Sequence, residues 1–142
     1  MQVQPQLALQ FNGQCEEAFR HYERCLEATI TFMMTWADSP AAAEVSAEWR
    51  PKIYHATLKV GNTAILASDQ PADRYQQPTG FDIILQIPDP ADAERVFNAL
   101  ADGGVVGMPL QETFWARRFG VLHDRFRMRW VVNCEGAPAP SA

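Results

Sequence analysis

His55 and Asp69 are the residues of this chain best suited to moving a proton or orienting a reacting group. Residues 52–60 and 63–68 are rich in β-formers, and Gly61-Asn62 between them suits a two-residue hairpin turn. That register sets His55 opposite Ser68 and Tyr54 opposite Asp69. Imidazole is the group most easily tuned near neutrality, so His55 is the candidate general base. Asp69, through Tyr54 or a shared water, would orient a ligand. The plainer reading is a histidine hydrogen-bonded inside a sheet. His21, at the border of an apolar helix stripe, reads as structural, and His123 precedes the last turn.

A second group of candidates is polar but poor in metal ligands. Gln4, Gln6, Gln10 and Asp82 fall on the even positions of two alternating segments whose odd positions are apolar. Late in the chain, Gln111, Phe114, Trp115, Phe119, Phe126 and Trp130 are interleaved with Arg117, Arg118, Arg125, Arg127 and Arg129. Gln6, Gln10, Asp82, Gln111, Trp115 and Trp130 are therefore the candidate ligand-binding residues, the aromatics giving apolar area and the polar groups orientation. The arginines read as an anion site or as a solvated hairpin surface. Carboxylates and amides of this kind would hold Mg²⁺ or Mn²⁺ loosely, and Zn²⁺ or Fe²⁺ wants imidazole or thiolate. No metal site and no cofactor are expected. No Gly-x-Ser-x-Gly elbow is present, and no Ser or Cys has an evident His partner.

These residues need a scaffold, and the chain supplies one twice. Residues 14–27 carry Cys15, Ala18, Phe19, Tyr22, Cys25 and Leu26 at helical spacing, with Asn12 or Gly13 to start the helix. A second helix has Asp89 as N-cap, Pro90 at its first position and Gly103-Gly104 as its stop. Phe19 and Phe97 stand 78 positions apart, as do Cys15 and Ala93, Ala18 and Val96, and Leu7 and Leu85. Each helix follows an alternating strand and precedes three strand-like stretches. The two closing hairpins, 52–68 and 117–134, stand about 66 apart. About 12 extra residues are thus expected in the first half, at 38–50, as a loop or short helix.

Three segments in order carry a family resemblance. Gln111-x-x-Phe114-Trp115, Phe119-Gly120, Asp124-x-Phe126 and Trp130 resemble the ending of PhnB-like proteins of the vicinal oxygen chelate superfamily, alongside glyoxalases and bleomycin-resistance proteins. The other two are Phe11-Asn-Gly-Gln-Cys-Glu-Glu-Ala18 with Tyr22, and the hairpin from His55 to Asp69 with Pro71. The resemblance implies an α+β fold of two tandem βαβββ modules, about 4–69 and 80–135, whose curled mixed sheets surround a cleft in a single domain spanning 1–135. It also implies a homodimer and a small-molecule ligand. The family's metal-ligand positions fall within 4–8, at Asp82, near Asp69 and at Val131, a poor set. A divalent-metal-dependent lyase, isomerase or dioxygenase, and a drug-sequestering protein, are the alternatives. Where PhnB-like chains have Gly after Asp-x-Phe, this one has Arg127, which implies a different turn or strain.

Composition bounds the rest. The 142 residues suit one domain with a real core. A formal charge of −5 speaks against nucleic acid or an anionic membrane as partner. No apolar run reaches membrane-spanning length and nothing resembles a signal peptide, so a cytoplasmic protein is expected. Cys15 and Cys25, about 15 Å apart along one helix, are too far for a disulfide, and with Cys134 they read as small core residues. The Gly/Ala/Pro tail, 136–142, is expected to be disordered.

Overall fold

Period-2 alternation makes β1 (Leu7–Phe11), with Leu9 and Phe11 buried and Ala8 and Gln10 exposed. Helix α1 (Cys15–Leu26) follows, burying Cys15, Ala18, Phe19, Tyr22 and Cys25, and placing Glu16 and Glu17 in its first turn. Then come β2 (Thr29–Thr35), β3 (Ile53–Val60) and β4 (Thr63–Asp69). The order repeats as β5 (Ile83–Gln86), α2 (Pro90–Ala101), β6 (Val105–Gln111), β7 (Ala116–His123) and β8 (Arg129–Glu135). This computed structural model describes residues 1–136; residues 137–142, which hold most of the expected disordered tail, lie outside the described residues. The chain divides into two compact units, the first comprising residues 1–77.

Each unit is one βαβββ module with a four-stranded mixed sheet, ordered β1-β4-β3-β2 in the first and β5-β8-β7-β6 in the second. The first strand pairs in parallel with the last, and the remaining pairs are antiparallel. Helix α1 packs on β3, β2 and β4, and α2 on β7, β8 and β6. The duplicated α+β architecture expected from the 78-residue step is therefore present.

The register refines that step. Leu7 pairs with Ile65 and Leu85 with Val132, so the last strands stand 67 positions apart rather than 66. Leu58 pairs with Ile65 and Gly120 with Val132, which puts β3 and β7 only 62 apart. The difference lies in the turns. Gly61-Asn62 closes the first hairpin, as its sequence predicts, whereas residues 124–128 close the second. The first unit's extra residues lie between β2 and β3, at 36–52, and include a 3₁₀ turn at Ala42–Glu44. Trp36, Ala41 and Val45 are buried there against Trp49 and Tyr54.

The second hairpin turn is built around Asp124. Its carboxylate accepts from the Phe126 and Met128 backbone N–H groups at 2.8 and 3.0 Å and from the Trp130 indole at 2.8 Å. Arg127, beside it, has φ of 70°, the left-handed conformation that favours glycine. Arg127→Gly relieves about 1 kcal/mol of backbone strain. The variant is expected to melt at or above the parent temperature; a fall in calorimetric Tm would mean that the Arg127 side chain outweighs the strain.

Candidate functional site

The sheet face of the first unit turned away from α1 gathers the polar candidates. Gln10 of β1 pairs with Ser68 of β4. One step past the Ala56–Ala67 pair, the same register brings His55 beside Ser68. Across β3, Met34 pairs with His55 and Phe32 with Thr57, and the Phe32 and His55 rings lie 5.7 Å apart. The Gln70 amide donates to Ser68 Oγ at 2.9 Å, fixing that hydroxyl from outside the strand. A cavity of about 320 Å³ opens here, lined by Ala8, Tyr54, His55, Leu66, Ser68 and Gln70 among others. Its lining contains no Asp, Glu, Lys or Arg. His55 is half-buried and makes no side-chain hydrogen bond among the described residues, so both ring nitrogens are available to a ligand.

Asp69 is not the ligand-orienting group expected of it. It is 1% exposed and faces the core rather than the His55 face. Oδ1 accepts from the backbone N–H groups of Gly13 at 2.8 Å and Cys15 at 2.9 Å, and Oδ2 from Ile53 at 2.9 Å. Its carbonyl accepts from the Trp36 indole at 3.0 Å. Asp69 thus caps α1 from 54 residues away, where neither Asn12 nor Gly13 supplies a side-chain cap and Gln14, the residue before the helix, makes none. Burial pushes its carboxyl above the ordinary carboxylate range, against the pull of the three amides and of Lys52. The Cys15 thiol is pushed up too, by burial first and then by the Asp69 and Glu16 charges, which keeps it protonated and unreactive.

In the second unit the candidates separate. Asp82 forms an ion pair with Arg129 across β5 and β8. Four residues along, Asn133 donates to Gln86 at 2.7 Å. Gln111 pairs with Phe119, and the Trp115 ring stands edge-on to Phe119 at 5.4 Å and to Phe114 at 4.7 Å, an exposed aromatic patch. Trp130, expected to line the cleft, is fully buried. Parallel pairing sets it opposite Ile83 on the core face, with its indole N–H on Asp124. Gln6 is exposed just before β1.

The structure therefore brings Gln10 and His55 together with Ser68, and Gln111 together with Trp115. Ser68, Gln70, Phe32 and Arg129 are additions. Hairpin register already pointed to Ser68, but nothing local in sequence announces the Gln70 bond or the Arg129 pair. Among the described residues no group of three or more His, Cys, Asp or Glu converges, Asp69 is committed to backbone amides, and Asp82 is committed to an arginine.

Comparison with known proteins adds to this geometry. Residues 5–132 match the family described as the Glyoxalase/Bleomycin resistance protein/Dioxygenase superfamily. Protein YjdN of Escherichia coli (strain K12) is 32% identical over 133 residues, covering 88% of this chain and 90% of that protein. The crystal structure of protein PA1353 from Pseudomonas aeruginosa superposes with a TM-score of 0.85 at 46% identity, covering 94% of this chain and 98% of that one. The PhnB protein from Bacillus cereus shares the fold, with a TM-score of 0.79 at 19% identity, 93% coverage of this chain and 99% of its own.

Proposed function

The chain belongs to the glyoxalase/bleomycin resistance protein/dioxygenase superfamily and is PhnB-like, and from that premise we propose that it binds a small uncharged organic molecule on the His55 face without a tightly held metal. The observation that carries this reading is the His55 cavity itself. An imidazole with open hydrogen-bonding capacity and a hydroxyl held by Gln70 line it with Ala8, Tyr54 and Leu66, while Gln10 lies beside Ser68 and Met34 and Phe32 beside His55. A few placed polar groups in an apolar wall are what orient a small ligand. With no Asp, Glu, Lys or Arg in the lining, an ionic ligand would lose hydration with little recompense. His55, with Ser68 beside it, would accept a proton from a bound hydroxyl.

We further propose a cytoplasmic homodimer. Edge strand β6 leaves Val105, Val106 and Met108 exposed, and Phe114 and Trp115 follow it. All three cysteines are free, which suits a reducing compartment. No helix among the described residues is long and apolar enough to cross a membrane.

The test is saturation-transfer NMR with benzyl alcohol, benzamide and benzoate in the presence of EDTA, on the parent protein and on His55→Ala. The neutral probes should bind the parent, and His55→Ala should weaken them roughly tenfold, the value of one good hydrogen bond. Binding that ignores His55→Ala would sink the proposal, and binding that appears only when Mn²⁺ replaces EDTA would sink it and revive the metal-dependent alternative. The exposed Trp115 patch favours one second reading, sequestration of a planar cationic drug. Its signature is quenching of Trp115 fluorescence with no effect of His55→Ala.

A further inference from the structure

The two modules carry equivalent cavities that have diverged in charge. The second unit has a cavity of about 370 Å³ lined by Gln86, Ile87, Pro88, Arg117 and Glu135. The register maps these positions onto the first unit. Ala8 pairs with Leu66 and Gln86 with Asn133, so Gln86 stands where Ala8 does and Glu135 where Ser68 does. Gly120 stands where Leu58 does, which carries Arg117 onto His55. The bulge between Ala116 and Arg118 falls at Arg117 itself, so Glu135 pairs with Ala116 and Arg117 is the extra residue beside that pair. The His55–Ser68 end of one module is thus an Arg117–Glu135 end in the other.

From this arrangement we infer that the Arg117 cavity is a second ligand site, built for a zwitterionic molecule of the α-amino acid class. Arg117 and Glu135 line one cavity without forming an ion pair with each other, and neither side chain has a hydrogen bond or ion pair among the described residues. Opposite charges facing a common space and left unpaired are complementary to a ligand bearing both. Gln86 adds direction. Its Oε1 is engaged by Asn133, so its amide N–H groups remain for the cavity. The guanidinium and that amide would take a carboxylate, the guanidinium with the two-pronged geometry suited to it, while Glu135 takes the ammonium. Ile87 and Pro88 provide the apolar floor.

This site is independent of the His55 reading, and the experiment keeps the two apart. L-Alanine is titrated into isotope-labelled protein, with propionate and ethylamine as single-charge controls, and the Gln86 side-chain amide and Arg117 Nε–H signals are followed. Alanine should shift both and bind roughly tenfold tighter than either control. Arg117→Gln and Glu135→Gln should each weaken it by a similar factor, while His55→Ala leaves it unchanged. Both residues are exposed, and unchanged spectra of the second unit away from the cavity will show that the variants fold. The inference fails if alanine moves neither signal. It fails equally if propionate binds as tightly as alanine, or if both variants bind alanine as the parent does.

Discussion

Asp69→Ala lowers the stability of the protein by about 4 kcal/mol, seen as a fall in the midpoint of chemical denaturation. The estimate rests on what is left behind. Three backbone N–H groups from two separate segments, the start of α1 and the start of β3, end on this one carboxylate, and removing it orphans all of them at once. A buried donor without a partner costs about 1–3 kcal/mol, and relaxation or an entering water recovers part of the total. Asp69→Asn should fall between the parent and the alanine variant. Its amide oxygen keeps Gly13 and Cys15, but its NH₂ faces the Ile53 N–H, donor against donor. A loss for Asp69→Ala below about 1 kcal/mol would show that the amides find other partners.

The same residue sets a pH signature. Its folded proton affinity lies above the ordinary value of 3.8, so between that value and the raised one the native state holds the proton more firmly than the unfolded chain. The Asp69 contribution is full below 3.8 and declines as pH rises through the folded value. The margin of the parent over Asp69→Asn should therefore be widest in acid and narrow toward neutrality. A margin that widens with pH would mean that the three amides dominate burial.

Gly104→Ala is the second large effect, a loss of about 3 kcal/mol and a Tm lower by roughly 10 °C. The backbone of Gly104 is not left-handed; the demand is for room. A methyl carbon there would overlap the His123 carbonyl oxygen and lie 2.9 Å from Asp124 Cα. Both obstacles are backbone, at the point where β7 gives way to the turn held by Asp124, so neither can rotate aside. Gly103→Ala, next door, meets the flexible Arg125 side chain instead and is limited by its φ of 76°. The two variants should separate clearly in a thermal melt. Equal and small losses would mean that β7 shifts freely away from α2.

Much of the fold was legible because its signals are local and occur twice. Phe19 and Phe97, the alternating lead strands and the Asp89-Pro90 start each follow from spacing within a dozen residues. Gly61-Asn62 fixed the first hairpin and with it the neighbourhood of His55 and Ser68. Asp69 was misjudged because its partners are far away in sequence; a carboxylate that caps a helix 54 residues upstream leaves no trace in local pattern. Trp130 was misplaced for a related reason. The face it occupies is set by a five-residue turn and by parallel pairing with β5, neither of which periodicity reveals.

The segment between β2 and β3 has a kinetic consequence. Trp36, Ala41 and Val45 give it a small apolar nucleus of its own, and the Trp36 indole is bonded to the Asp69 carbonyl, behind Tyr54. So anchored, it backs Tyr54, which lines the His55 cavity. For the proposed guest this wall is in place beforehand, and association should not wait on ordering of the segment.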